Sequence, residues 1–198
     1  MLNNVLKVIQ NRRSVRFFDD EAISDSDILK VLQAANHAPS AHNQQSWRFI
    51  VVSGTKKQDL ANLVNKRAAE FTKPSSTLLR MAARSLSSAP VVIGVVNTGE
   101  LIRRSIELFD VDRNNAFDFF RTMEIQSSAA AVENLLLAAT SLGISSVWLG
   151  VLFLIKDEVL SLLEEPEGEF MAVVPLGYSK KTTAKPPKKS LDIKVKYL

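Results

Sequence analysis

Two periods of apolar residues run along the chain, and together they predict its elements. Asn3–Asn11 carries Val5, Leu6 and Ile9 on one stripe, the spacing of a short amphipathic helix. Ser24, with Asp27 three residues on, has the form of a helix start, and Ile28, Leu29, Val31, Leu32 and Ala35 give that helix a buried face ended before Pro39. Trp47–Val52 is aromatic and β-branched and closes at Ser53-Gly54, so it reads as a strand. Helical stretches follow over Lys56–Phe71 and Thr77–Ser87, and then Val91–Val96, an almost unbroken β-branched run, predicts a strand buried on both faces. The longest pattern spans Asn115–Leu142. There Ile125, Ala129, Val132, Leu136 and Ala139 recur at helical spacing, the small residues Ser127–Ala131 permit close approach of another helix, and Gly143 supplies the stop. Ser146–Leu152 and Phe170–Leu176 read as further strands around a short helix near Asp157–Leu163. Strands and helices mix without regular βαβ alternation, so the expectation is one α+β layered domain over 1–198.

Composition narrows the chemistry. A chain of 198 residues, 46% hydrophobic and 23% charged, can bury a core without disulfide or metal staples. It has no cysteine, which excludes thiolate catalysis, iron–sulfur ligation and a disulfide framework, and with only His37 and His42 a histidine cage is not expected. The first residues lack a signal-peptide core, and no apolar run is long enough to span a bilayer, so the chain reads as cytoplasmic. Charge is uneven. Residues 179–198 hold seven lysines against one acid, Asp192, a net +6, which leaves residues 1–178 at −2. Such a basic extension is a solvated tail, a contact for an anionic group such as phosphate or, less in keeping with its lack of interleaved aromatics, a contact for nucleic acid or an acidic membrane.

Three segments could carry chemistry. In an extended Arg12-Arg13-Ser14-Val15-Arg16, alternation puts Arg12, Ser14 and Arg16 on one side, two guanidiniums and a hydroxyl suited to a phosphate. The same arginines could instead be solvated or pair with Asp19, Asp20 and Glu21. Ala38–Trp47 is a loop of small and amide residues in which Asn43 offers both donor and acceptor to the edge of a heterocycle, or else an ordinary helix-to-strand connection. Gly150, after Trp148 and Leu149, could let a flat ligand lie on the main chain, or could only turn it. No G-x-G-x-x-G, P-loop, G-x-S-x-G or H-E-x-x-H occurs, so dinucleotide-fold, P-loop and common hydrolase sites are unsupported.

These segments stand in an order that resembles the nitroreductase family. Arg12–Phe17 is similar to its R-R-S-x-R opening. Residues 38–49 are similar to its A-P-S-x-x-N-x-Q-P-W-x-F segment, with Ser46 in place of the proline. Glu133–Gly143 followed by Trp148-Leu149-Gly150, then Leu176-Gly177-Tyr178 and Pro186–Leu191, match the family's central helix and C-terminal pattern. The resemblance implies a central mixed sheet among helices and an intertwined homodimer with FMN at the interface. It implies a redox enzyme that takes hydride from NADH or NADPH and passes it to a small electron-poor acceptor such as a nitroaromatic or quinone. Relatives on the same scaffold fragment flavin or remove halogens, and a flavin carrier is a further alternative. By the resemblance Arg12, Arg13, Ser14 and Arg16 hold the flavin phosphate and pyrimidine side. Pro39, Ser40, Ala41 and Asn43 line it from the other subunit, Trp148, Leu149 and Gly150 offer backbone near the ring, and Lys188 or Lys189 adds charge at the phosphate. No catalytic side chain, metal, nucleic acid or membrane is implied.

Overall fold

The computed structural model describes residues 3–108, 113–180, 186–190, 192 and 194–198. Of the basic extension, residues 181–185, Leu191 and Ile193 therefore lie outside the described residues. In chain order the helices are α1 (Asn4–Asn11), α2 (Asp25–Asn36), α3 (Gly54–Arg67), α4 (Ser75–Ser88), α5 (Glu100–Leu108), α6 (Arg113–Ser141) and α7 (Lys156–Leu162). The strands are β1 (Trp47–Val52), β2 (Val91–Asn97), β3 (Ser145–Ser146) and β4 (Glu169–Gly177), in the spatial order β1-β2-β4-β3. Every ladder among them is antiparallel, and the parallel component among the described residues is a single bridge between Ser14 and Ser146.

The sheet is the middle of three layers. β2 is buried along its whole length, so its side chains feed two cores by strict alternation. Val92 and Val96 meet Leu60 and Val64 of α3, Leu79 and Leu86 of α4, and Val159 of α7. Val91, Ile93 and Val95 meet Val31 and Ala35 of α2 and Val132, Leu135 and Ala139 of α6. Each fully buried Val, Ile or Leu contributes about 1.5–3 kcal/mol, which fixes the register of this central strand. A bulge in β4 then alters the alternation: Val95 pairs with Ala172 but Val96 pairs with Phe170, so Met171 is the extra residue. Phe170 thereby leaves the face of Ala172 and Val174 and packs in the opposite core.

Local signals explain the helix ends. The Ser24 hydroxyl accepts from the Asp27 N–H at 3.1 Å and starts α2. Gly143, with φ +76°, takes the left-handed conformation that closes α6. Two expectations need correction. Ser146–Leu152 is not a strand: only Ser145 and Ser146 pair with β4, and Gly150–Ile155 winds as a 3-10 helix. Leu149, Leu152 and Ile155, all buried, recur every third residue, which is the 3-10 repeat rather than a β alternation. Leu29 was expected in the buried face of α2, but it is 56% exposed because α6 covers only the Val31–Ala35 side.

Candidate functional site

The segment leaving α1 is held at both ends. Arg12 ends the helix in extended conformation, its N–H still donating to the Val8 carbonyl. The Arg13 guanidinium folds back to donate to the carbonyls of Gln10 at 2.7 Å and Arg12 at 2.6 Å, satisfying acceptors that a helix C-terminus leaves open. Arg12 Nε lies 3.9 Å from Glu133 Oε1 on α6. Beyond it the chain joins the sheet edge, where Ser14 bridges Ser146 and the Val15 N–H donates to the Ser146 carbonyl at 3.0 Å. Val15 packs on the core, so by alternation its neighbours Ser14 and Arg16 face away from it. The Arg16 carbonyl accepts from the Ser85 hydroxyl of α4 at 3.0 Å, while its guanidinium is exposed and has no carboxylate within ion-pair distance among the described residues.

Arg16 borders a cavity of about 170 Å³ together with the backbone run Val147–Val151. Trp148 and Gly150 are exposed there, whereas Leu149 turns its side chain into the core and its N–H to the Val173 carbonyl. A Cβ on Gly150 would meet nothing within 4 Å, so this backbone is open to a ligand. The cavity's other wall is Leu78, Met81 and Ala82 of α4, which sequence reasoning missed. Their only signal was the apolar face of α4, and that does not say what the exposed Leu78 and Met81 look onto.

Pro39, Ser40 and Ala41 lie elsewhere, over the middle of α6. They border a hollow of about 330 Å³ with Met123, Ser127 and Ala130. The loop is strained, with φ near +50° at His42, Asn43 and Gln45, each costing about 1 kcal/mol or more for a residue with a Cβ. Specific bonds hold it. Gln45 N–H donates to Ser40 Oγ at 3.1 Å, Gln45 Nε2 donates to Asn43 Oδ1 at 3.1 Å, and Ala41 N–H donates to Ser127 Oγ at 3.1 Å. Trp47 Nε1 completes the anchorage by donating to Asn36 Oδ1 at 3.0 Å. Strain kept in place by this many contacts is typical of a loop with a function. The structure thus unites Arg16 and Ser14 with residues 146–151. Residues 39–43 form a second group that shares no lining residue with the first in one copy. Lys188 and Lys189 are exposed in the 186–190 segment, without an ion pair among the described residues.

Comparison with known proteins decides the family. Residues 9–178 match the model of the Nitroreductase family. The chain belongs to the nitroreductase family. A protein of Archaeoglobus fulgidus, provisionally named NADH dehydrogenase/NAD(P)H nitroreductase, is 35% identical to this nitroreductase-family chain, over 90% of it and 87% of the relative. A provisionally named NAD(P)H nitroreductase of Bacillus subtilis is 31% identical over 86% and 82%. Among solved structures, a nitroreductase with bound FMN from Desulfitobacterium hafniense superposes with a TM-score of 0.71 at 26% identity, both chains fully covered. A BluB-like flavoprotein from Clostridium difficile superposes at 0.75 with 27% identity, again over both full chains.

This nitroreductase-family chain leaves an apolar helix face exposed. No residue of α1 is buried, and Val5, Leu6 and Ile9, its apolar stripe, are exposed by 61%, 47% and 47%. That stripe directly precedes the arginine segment. Among the described residues, no helix is long and apolar enough to cross a membrane.

Proposed function

We propose that this chain is an FMN-dependent oxidoreductase, working as a homodimer, that passes hydride from NADH or NADPH through flavin to a small electron-poor acceptor such as a nitroaromatic or quinone. The observation that carries the reading is the exposed guanidinium of Arg16 beside the open backbone of residues 147–151, at the end of a segment that also bears Arg12 and Ser14. A fixed cation on a cavity wall favours a ligand that carries or develops negative charge there. The residues fit a flavin: Arg12, Ser14 and Arg16 would hold the phosphate and the pyrimidine side, and Trp148, Leu149 and Gly150 would offer main chain to a flat ring. Bound there, FMN would supply the two-electron chemistry, and no protein nucleophile is needed. Arg13 acts through its cap on α1, which sets the direction in which Arg12 and Ser14 leave the helix.

A second copy has a definite task in this reading. The Arg16 cavity, about 170 Å³, is smaller than the roughly 300 Å³ at which ligand pockets usually begin. Pro39, Ser40 and Ala41 line a separate hollow in the same chain, and Asn43 follows them in the same loop. In this reading a second copy covers the apolar stripe of α1 and contributes its 39–43 loop to the flavin held by the first copy's arginine segment, with Lys188 and Lys189 adding charge at the phosphate. The family membership and the FMN bound in the Desulfitobacterium hafniense relative support this.

The test is the visible spectrum of the purified protein. It should be yellow and should bleach on anaerobic addition of NADH or NADPH. Saturating FMN, at about 100 times its Kd, should add about 2.7 kcal/mol, which raises the melting temperature of a chain this size by roughly 5–10 °C. A colourless protein that gains no stability from FMN would overturn the reading.

A further inference from the structure

Helix α5 backs the 39–45 loop, and polar ties rather than packing set its position. On its inner side Leu101 is buried with Ala116 and Phe120, and Ala41 of the loop rests on them. Ile102 and Arg103 border instead a cavity of about 460 Å³ at the far end of the sheet, whose other walls include Phe153 and Phe170, the latter brought there by the bulge in β4. A short helix with open space along one side has few apolar contacts to hold it, so its end ties carry more of the task.

Those ties meet at Glu124 of α6, which is only 1% exposed. Its Oε1 accepts from the Leu101 N–H at 2.8 Å, and the Ile102 N–H also serves the carboxyl, so Glu124 caps the first turn of α5. The hydroxyl of Ser46, buried and with no other partner, faces the same carboxyl. Ser46 is the joint of the loop. It follows Gln45, whose φ is +53°, and precedes Trp47, where β1 begins. Its carbonyl accepts from the Thr98 N–H at 3.0 Å, just ahead of α5, and Arg104 of α5 donates to Gln44 Oε1 at 3.2 Å. A strained residue such as Gln45 keeps its conformation only where both sides are held. Ser40 holds one side, and Ser46 is placed to hold the other.

The carboxyl has no cation within ion-pair distance among the described residues. Glu169 of β4 faces it as a like charge and is itself bound to Arg121 of α6, while Arg103 of α5 donates to the Thr98 carbonyl at 2.9 Å. The loop adds one titratable group, His42. Burial pushes the Glu124 carboxyl up, the Leu101 N–H, the Ser46 hydroxyl and the Ile102 N–H pull it down, and Glu169 pushes it up again. Such a carboxyl holds its proton more firmly in the closed block than in an opened one, so rising pH favours release of Ser46 and α5.

We propose that Glu124 and Ser46 are a positioning pair, through which α5 and α6 fix the 39–45 loop in the shape that a flavin bound by the partner copy requires. The inference rests on the flavin reading given above. Both side chains are buried and act through Ser40, Ala41 and Asn43.

The experiment measures FMN affinity by fluorescence quenching and, without FMN, the emission of Trp47 in a Trp148→Phe background, where it is the one tryptophan left. Ser46→Ala should weaken FMN by about two- to tenfold, the effect of one hydrogen bond, and shift Trp47 emission to the red. Glu124→Ala should weaken FMN at least as much, and adding Ser46→Ala to it should cost nothing further. Glu124→Gln can accept from Leu101 and donate to Ser46, so it should restore the affinity. It should also abolish a red shift of Trp47 that the parent shows as pH rises above the ordinary carboxyl range; a shift caused by His42 would persist. The proposal is overturned if Ser46→Ala matches the parent in both measurements, if Glu124→Gln shifts with pH like the parent, or if the alanine substitutions add. It is overturned equally if Glu124→Gln is as weak as Glu124→Ala. Should Glu124→Ala not fold, Ser46→Ala and Glu124→Gln decide between them. A parent that binds no FMN would refute the flavin reading, and Trp47 emission would still decide whether the pair holds the loop.

Discussion

Removing the two exposed-side arginines tests the electrostatics of the arginine segment most directly. Arg16 has no ion-pair partner among the described residues, so its charge is free to act on a ligand. A hydrogen bond to a charged group is worth about 1.5–3 kcal/mol, and solvent exposure reduces this to about 1–2 kcal/mol here. Arg16→Ala should therefore raise the Kd for FMN by about 5- to 30-fold. Arg12 differs because Glu133 stands 3.9 Å from its Nε. Arg12→Ala removes a cation and also leaves the Glu133 charge uncompensated beside the phosphate position, so a loss of similar size is expected. Glu133→Gln does the reverse and should tighten FMN by roughly two- to fivefold at low ionic strength, with the gain fading as salt screens the pair. The double variant Arg12→Ala/Arg16→Ala should bind roughly a hundredfold more weakly or worse and emerge colourless. The assay is quenching of FMN fluorescence at two salt concentrations, with circular dichroism to confirm the fold. The reasoning is refuted if the double variant remains yellow with a Kd near that of the parent, or if Glu133→Gln weakens binding.

Placing charges on the apolar stripe of α1, as Val5→Glu with Ile9→Glu, should convert a dimer to a monomer in analytical ultracentrifugation and lose bound FMN with it; a parent that is already monomeric refutes the expectation. Ser127→Ala should leave the Ala41 N–H without its acceptor, costing about 1 kcal/mol, which is a fall of roughly 2–4 °C in melting temperature, and should weaken FMN severalfold. Ser127→Thr, which keeps the hydroxyl, should restore both, and equal loss in the two variants would show that packing rather than the bond matters. For Glu124 the sign follows from a carboxyl whose affinity for its proton is greater in the native state than its ordinary 4.5. The stability it contributes is complete below that pH and is lost as pH rises through the native value. The melting temperature of Glu124→Gln should therefore gain on the parent as pH is raised from 4.5 toward neutrality, and a difference that stays flat with pH contradicts the assignment.

How far the fold could be read depended on whether each element's reasons were local. β2 was legible because both its faces are apolar, and α2 and α6 because Ser24 and Gly143 act within a few residues of the ends they set. α5 was not. Its first turn is capped by Glu124, 23 residues away on α6, and its own start, Thr98-Gly99, is no more distinctive than an ordinary turn. Residues 147–152 were misread because an apolar run with spacing three passes for a strand until its pairing partners are known. The site followed the same rule. Residue chemistry alone left Arg12–Arg16 open between phosphate binding and a solvated turn, and the order of motifs supplied the family. What no linear pattern could reveal is that Arg13 faces its own helix, that Leu78 and Met81 stand opposite Arg16, or that the bulge at Met171 delivers Phe170 to a cavity at the far end of the sheet.

The bridge from Ser14 to Ser146 has a consequence for failure. It joins a helix with no buried side chain to the rim of a rigid, doubly covered sheet, so the arginines between them span a soft element and a hard one. Damage to the soft end would leave both cores intact while changing the stance of Arg12. Such variants should express well, melt normally and yet come off the column pale, so colour rather than yield is the sensitive gauge of harm in the first dozen residues.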